Sequence, residues 1–185
     1  DEQAIKCMAL VHDIGHGAFS HVTESFLEGT HEERTVSLLT SPNMEIHKAI
    51  VDTFGENVLN KVINLIEMKG KKETYNDSID LMFIMRKLLT GGIDIDRIDY
   101  IYRDSKQLYG KGFDFSSILE AIDLEYIDNG LEIVFDGSVE YTIANFFNKR
   151  FELYDTGYLS NDTRILERVF GKYRILYMKL RKINL

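Results

Sequence analysis

Residues 5–21 read IKCMALVHDIGHGAFSH, an apolar helical pattern that runs directly into a cluster of three histidines and one aspartate. The apolar residues at positions 5, 8 and 9 share with His12 the i, i+3, i+4, i+7 spacing of one helix face. We therefore predict a first helix that presents His12 on its inward side. Gly15 and Gly17 follow, and glycine permits the backbone to turn tightly after a helix.

The side chains of this cluster are metal ligands by type. A lone histidine on an apolar face is usually an ordinary core residue, but Asp13 follows His12 directly, and His16 and His21 come soon after. Imidazole nitrogens and carboxylate oxygens together suit a divalent ion such as Mn, Mg, Fe, Co or Zn. No cysteine accompanies them, which argues against a structural zinc cage. The cluster predicts a divalent metal site.

A second polar cluster, GIDIDRIDYIYRD, occupies residues 92–104. It is typical of a helix capped near Asp94 with Ile95, Ile98 and Tyr102 facing the core. The charged residues then fall on the other side, including Asp96. Two interpretations stay open at this point: a functional face, or a solvated face of alternating charge with internal salt bridges.

A third cluster also has helical spacing, and it consists of Phe147, Arg150, Phe151, Tyr154 and Tyr158. Aromatic residues in such a stripe are more often core than part of a cofactor site. An arginine within the stripe needs an anionic partner if it is buried.

Helical periodicity extends over most of the chain, which has only one proline. We predict an all-α fold, a single core over residues 1–185 that is a piece of a longer protein, with a small β-hairpin at 124–135 that turns at 128–130. The predicted helices cover residues 3–12, 17–27, 31–40, 43–54, 56–68, 77–90, 94–106, 114–122, 138–159 and 161–182.

Composition narrows the functional classes. The net charge of −8 argues against strong nucleic-acid binding, because proteins of that class usually present a basic face. No stretch approaches the roughly 20 apolar residues of a membrane span, and the one cysteine, Cys7, lies in an apolar run typical of a buried, reduced thiol. These features predict a cytoplasmic protein that does not bind membranes.

Taken in order, the motifs resemble those of the HD-domain deoxynucleoside triphosphate triphosphohydrolases, which include the sterile-alpha-motif and HD-domain nucleotide hydrolases and their bacterial dGTPase-like relatives. The resemblance covers about residues 1–160 and includes His31-Glu32 between the first two clusters. It implies the HD-domain helical fold. It also implies that His12, Asp13 and Asp96 bind the metal, together with a histidine that would lie before residue 1.

The resemblance further implies roles for residues around the metal. It assigns proton handling to His16 and Glu24, and a place beside the phosphates to His31 and His21. The implied substrate-binding residues are His21, Arg97, Tyr100, Asp104, Arg150 and Tyr158. Tyr154 departs from the family, since some relatives have histidine there.

The implied activity is metal-dependent hydrolysis of deoxynucleoside triphosphates to deoxynucleoside and triphosphate by a homo-oligomer. Two alternatives remain. One is another HD phosphohydrolase that acts on a nucleoside monophosphate or a cyclic nucleotide. The other is a non-catalytic nucleotide-sensing module.

Overall fold

The structure is a computed structural model that describes residues 2–24, 27–67, 81–127 and 130–183. In this described part, ten α-helices accompany one two-stranded antiparallel sheet, which confirms the predicted all-α fold with a small β-hairpin. The elements are α1 (Glu2–Val11), α2 (His21–Glu24), α3 (His31–Thr40), α4 (Glu45–Phe54), α5 (Glu56–Glu67), α6 (Leu81–Thr90), α7 (Ile95–Tyr109), α8 (Ser116–Glu120), β1 (Ile122–Ile127), β2 (Gly130–Phe135), α9 (Glu140–Leu153) and α10 (Asn161–Ile183).

The chain divides into two compact units. Unit 1 comprises Asp1–Arg97 and Ile122–Asp136, and unit 2 comprises Ile98–Ala121 and Gly137–Leu185. The prediction of a single core over residues 1–185 stays a prediction.

The core of unit 1 is formed by helices α1, α3, α4 and α5, which pack on one another. From α1 it receives Ala4, Cys7, Met8 and Val11, the apolar face that leads to the histidine cluster. The burial of Cys7 agrees with the sequence prediction. The end of α1 is therefore packed against the core, and this packing fixes the position of the residues that follow it.

The start of α3 shows why its bounds match the predicted ones. Thr30 caps the helix, since its side chain accepts a hydrogen bond from the Glu33 backbone N–H while the Glu33 carboxylate accepts one from the Thr30 N–H. This reciprocal pairing satisfies two N–H groups that a helix start otherwise leaves without partners. It sets His31 at the first position of the helix.

The hairpin belongs to unit 1, where β2 packs on α6. Ile122 pairs with Phe135 and Ile127 with Gly130. The predicted turn residues Asp128 and Asn129 lie outside the described residues.

Three predictions about helices were wrong, two of them in α2 and α7. The helix predicted from residue 17 begins only at His21 in the described part, because Phe19 and Ser20 have positive φ angles of 65° and 46°, outside the right-handed helical region. The core face of α7 also differs. Ile95 and Tyr102 are exposed, whereas Ile98, Ile101 and Ser105 are buried.

The core of unit 2 is built by α7, α8 and α9. Phe146 of α9 is fully buried and meets Phe115 edge-on, with ring centroids 5.3 Å apart. After α9 the chain makes a π-helical turn over Tyr154–Tyr158, in which the Leu159 N–H donates to the Tyr154 carbonyl. This wider turn ends the helix that the sequence predicted to run unbroken to residue 159.

Among the described helices, none combines the length and the apolar character that a membrane crossing requires.

Candidate metal centre

The histidine cluster converges on one carboxylate oxygen in unit 1. The Nε2 atoms of His12, His16 and His31 lie 3.5, 3.8 and 3.9 Å from Oδ1 of Asp13. His12 follows directly after α1, and its Nδ1 atom lies 3.2 Å from the Ala9 carbonyl oxygen, which orients the ring. Three imidazoles around a half-exposed carboxylate form a mixed nitrogen and oxygen donor set.

Helix α3 holds the turn that carries these residues. The Thr35 hydroxyl accepts a hydrogen bond from the Gly15 N–H and donates one to the His12 carbonyl, both at 3.0 Å. Gly15 must be glycine, because a Cβ there would lie 2.6 Å from the Thr35 nitrogen and collide with the His31 carbonyl oxygen. Arg34 adds a third hydrogen bond, since its Nε donates to the Gly15 carbonyl at 2.7 Å. The turn is thus fastened to α3 through its backbone.

Two glutamates flank His31. Oε1 of Glu24 lies 2.7 Å from His31 Nδ1 and also accepts from the His31 backbone N–H at 3.1 Å. On the other side of the ring, Oε1 of Glu32 lies 3.0 Å from Nε2. The His16 ring stacks on the His31 ring with centroids 4.0 Å apart. The two carboxylates, one beside each ring nitrogen, fix the orientation of the His31 ring.

This donor set fits a divalent metal ion. The ligand atoms of Asp13, His16 and His31 all lie within 4.8 Å of one another, and so do those of Glu24, His31 and Glu32. Both groups mix imidazole nitrogen with carboxylate oxygen, the combination that borderline divalent ions prefer. Of the predicted ligands, Asp13 belongs to the first group, whereas His12, whose Nε2 atom lies 3.5 Å from Oδ1 of Asp13, belongs to neither group.

Asp96 occupies the first turn of α7 and is half-buried. It belongs to neither of these two close groups. Its neighbour Asp94 is buried and caps α7, as predicted, by accepting a hydrogen bond from the Arg97 N–H at 2.7 Å. Burial raises the pKa of Asp94, and the charge of Asp96 raises it further, while Arg97 and His12 act in the opposite direction. The role of Asp96 as a metal ligand stays a prediction.

Arg97, predicted to bind phosphate, is engaged close to its own backbone. Its Nη1 atom contacts the Asp94 carboxylate and the Gly91 carbonyl, and lies 3.3 Å from the Gly92 carbonyl oxygen. His21 begins α2, and its side chain lies outside the described residues.

The remaining predicted substrate-binding residues form a separate cluster within unit 2. Arg150 donates from Nε to the Tyr100 hydroxyl at 3.2 Å and from Nη2 to the Tyr154 hydroxyl at 3.4 Å, and it lies over the Tyr154 ring. The Tyr158 hydroxyl donates to the Asp104 carboxylate. Tyr158 also meets the Tyr154 ring edge-on at 5.0 Å between centroids. The two stripes on α7 and α9 that the sequence singled out therefore meet in the fold.

Two residues of this cluster, Tyr158 and Arg150, have raised pKa values. Burial raises the pKa of the Tyr158 phenol well above its usual range, and the hydrogen bond to Asp104 adds to the effect. The hydrogen bond to Tyr100 raises the pKa of Arg150. Tyr158 is a neutral hydrogen-bond donor and Arg150 a permanent cation, which suits a site for a polar anionic ligand.

Sequence reasoning gave no role to three residues near the metal centre: Glu32, which it named only as part of the motif His31-Glu32, and Thr35 and Arg86, which it did not name. Glu32 and Arg86 line a cavity together with Met8, His12, Asp13, His31 and Ile66. Arg86 carried a signal in the sequence, since it interrupts the apolar run LMFIMRKLL at 81–89. Thr35 carried a weaker one, because it lies one helical turn after His31 on the same face.

Comparisons with curated proteins add independent findings. The chain is 28% identical over 189 residues to a protein of Acanthamoeba polyphaga mimivirus whose name describes it as HD domain-containing, and the match covers 98% of this chain and 39% of that protein. It is 26% identical over 167 residues to a Dictyostelium discoideum protein named as a deoxynucleoside triphosphate triphosphohydrolase SAMHD1 homolog, with 85% and 30% covered. An uncharacterized Bacillus subtilis protein, YwfO, is 28% identical over 182 residues, with 93% and 37% covered.

The chain thus spans between 30% and 39% of the length of these relatives. A solved structure of a hypothetical protein from Aquifex aeolicus has the same fold, with a TM-score of 0.75 at 23% identity over 97% of this chain and 46% of that one. No family model matches the chain. The matches to named relatives confirm the resemblance to HD-domain proteins that the adjacent pair His12 and Asp13 first indicated.

Proposed function

We propose that this chain carries the catalytic core of a metal-dependent HD phosphohydrolase that converts deoxynucleoside triphosphates to deoxynucleoside and triphosphate. The observation that carries the proposal is the convergence of His12, His16 and His31 on the Asp13 carboxylate. The name of the Dictyostelium relative supports the substrate class.

The residues of the cluster have separable tasks in this proposal. His12 and Asp13 hold a divalent ion together with Asp96. When bound, such an ion supplies a water molecule acidified from a pKa of about 15.7 toward 7 and a positive charge beside the phosphoryl oxygens. Glu24 accepts the Nδ1 hydrogen of His31 and Glu32 lies against Nε2, so the two carboxylates orient this ring beside Asp13.

His16 lies in the same arrangement through its stacking on His31. We assign it to proton handling next to the attacking water, with Glu24 setting the orientation of the histidine pair. A carboxylate that orients an imidazole affects turnover more than substrate binding, because its contribution is made in the transition state.

The cluster in unit 2 supports a nucleotide as the substrate. Arg150 offers a planar, permanently charged donor group suited to phosphate oxygens. It bonds the hydroxyl groups of Tyr100 and Tyr154 and lies over the Tyr154 ring. Asp104, which accepts a hydrogen bond from Tyr158, offers a carboxylate acceptor for a sugar hydroxyl. A small phosphomonoester does not need such a set.

The test is a product analysis with the protein in its full natural length. Deoxynucleoside and ribonucleoside triphosphates are incubated with Mn²⁺ or Mg²⁺, and chromatography separates triphosphate from pyrophosphate and phosphate. We expect deoxynucleoside and intact triphosphate in equal amounts, with deoxynucleotides preferred. Asp13→Ala serves as the inactive control.

Other outcomes contradict parts of the proposal. Release of pyrophosphate or phosphate would contradict attack at the α-phosphorus. Turnover of monophosphates or cyclic nucleotides alone would favour another HD phosphohydrolase. Nucleotide binding without any turnover would favour a sensing module.

A further inference from the structure

Arg86 is a buried cation in the candidate metal centre. It lies in α6, is only 9% exposed, and lines the same cavity as His12 and Asp13. Arginine is almost never this deeply buried without compensating charge, since removing a charge from water costs several kcal/mol. The Arg86 guanidinium lies in the same cavity as two of the proposed metal ligands.

The other arginines of unit 1 have different positions. Unit 1 contains Arg34, Arg86 and Arg97. Arg34 donates to the carbonyls of residues 15, 28 and 29, and Arg97 binds the loop before α7. Neither lines the cavity, whereas Arg86 does.

The cavity changes its net charge when a cation binds. Among its lining residues, the carboxylates of Asp13 and Glu32 outnumber the guanidinium of Arg86 by one. This surplus of carboxylate attracts a cation. With Asp96 as a further protein ligand of a divalent ion, three carboxylates would stand against the ion and one guanidinium, so the charges balance and Arg86 is no longer outnumbered by carboxylates. Met8 and Ile66 complete the wall and lower the local dielectric, which strengthens charge interactions.

We propose that Arg86 binds phosphoryl oxygens of the substrate and of the released triphosphate at the metal-loaded centre. This inference rests on the proposed function, since it deepens the same site. A guanidinium forms two parallel, charge-assisted hydrogen bonds to phosphate, and such bonds are about twice as strong as neutral ones. Arg86 thereby supplies the phosphate contact beside the reacting phosphorus.

The test measures anion binding directly, without turnover. Isothermal titration calorimetry follows tripolyphosphate binding to the Mn²⁺-loaded, full-length protein and, separately, Mn²⁺ binding. We expect Arg86→Gln to weaken tripolyphosphate binding by about tenfold to a hundredfold, the value of one charged hydrogen-bonding group. Mn²⁺ binding should be retained or tightened, because a neighbouring positive charge is removed.

Two further variants serve as controls. Arg168→Gln makes the same chemical change at an exposed position of α10 and should leave both affinities unchanged. Arg86→Lys keeps the charge but not the forked geometry, and we expect an intermediate loss of tripolyphosphate affinity. If Arg86→Gln does not fold, Arg86→Lys decides the question.

The outcomes separate this inference from the proposed function. The role of Arg86 is refuted if the wild-type protein hydrolyses nucleotides and Arg86→Gln binds tripolyphosphate as tightly as Arg168→Gln does. If Arg86→Gln does not fold, the same comparison is made with Arg86→Lys. Loss of Mn²⁺ binding in a folded Arg86→Gln protein also refutes it, since Arg86 would then shape the metal site. A wild-type protein without turnover whose Mn²⁺-dependent tripolyphosphate binding requires Arg86 supports the inference and contradicts the proposed reaction.

Discussion

The hydroxyl of Thr35 holds the metal-binding turn on α3, and its removal gives a quantitative test. Thr35 is fully buried, and its two hydrogen bonds reach the Gly15 N–H and the His12 carbonyl. Thr35→Val keeps the shape of the side chain and removes both bonds.

The expected loss follows from the burial of the two backbone groups. A buried group left without its partner costs about 1 to 3 kcal/mol. The hydrogen bond of the Gly15 N–H is buried, so its loss carries the full cost. The hydrogen bond of the His12 carbonyl is only partly buried, so water replaces part of it and the cost is smaller. We expect the free energy of unfolding to fall by about 2 to 4 kcal/mol, a large share of the usual 5 to 15 kcal/mol.

The assay is urea unfolding followed by circular dichroism, with Tm as a second measure. Each kcal/mol should lower Tm by about 2 to 4 °C for a chain of this size. Thr40→Val is the matched control on the same helix, because Thr40 is exposed and bonds only carbonyls of its own helix. It should change the free energy of unfolding by less than about 0.5 kcal/mol. Thr35→Ser, which keeps the hydroxyl, should lose much less stability than Thr35→Val.

A Thr35→Val protein as stable as the Thr40→Val protein would refute the reasoning. The Gly15 and His12 groups would then find other partners, and α3 would not be what fixes the turn. Equal losses in Thr35→Val and Thr35→Ser would point instead to the packing of the methyl group.

Three further predictions concern other residues of unit 1. Asp13→Ala should abolish Mn²⁺ binding measured by calorimetry while the helical circular dichroism stays unchanged; retained binding would mean that other residues hold the ion. Glu24→Gln should lower kcat by about a hundredfold or more, because general acid–base catalysis contributes 10²- to 10⁴-fold to the rate, and it should raise KM for the nucleotide much less. An unchanged kcat would mean that Glu24 only supports the fold. Cys7 is 7% exposed, and burial raises its pKa, so the reactive thiolate forms only as the pH rises above the ordinary range of a thiol. A thiol-reactive chromogenic disulfide should therefore label Cys7 very slowly at pH 8 in the native protein and fully in urea; fast native labelling would contradict the burial.

Local patterns accounted for much of the helical architecture. The capping pair Thr30 and Glu33 and the apolar period that follows are contained in neighbouring residues, so α3 could be predicted with its observed bounds. The start of α2 could not, because the positive φ angles of Phe19 and Ser20 go against the local preference of both residue types. The buried face of α7 was also misjudged, since Ile95 and Ile101 are equally apolar and only their packing partners distinguish them.

The metal centre shows the same division between local and long-range information. The adjacency of His12 and Asp13 and the composition of their cluster are properties of the chain order, and they indicated metal chemistry before any fold was known. Other features of the site depend on residues from different parts of the fold. They are the contact of Glu24 with His31, the hydrogen bonds of Thr35 to the turn and the position of Arg86 in the cavity. Such contacts depend on how helices pack, which no local spacing encodes. Residue types along the chain therefore indicated the chemistry, whereas the packing of α1, α3 and α6 decided which side chains share the cavity.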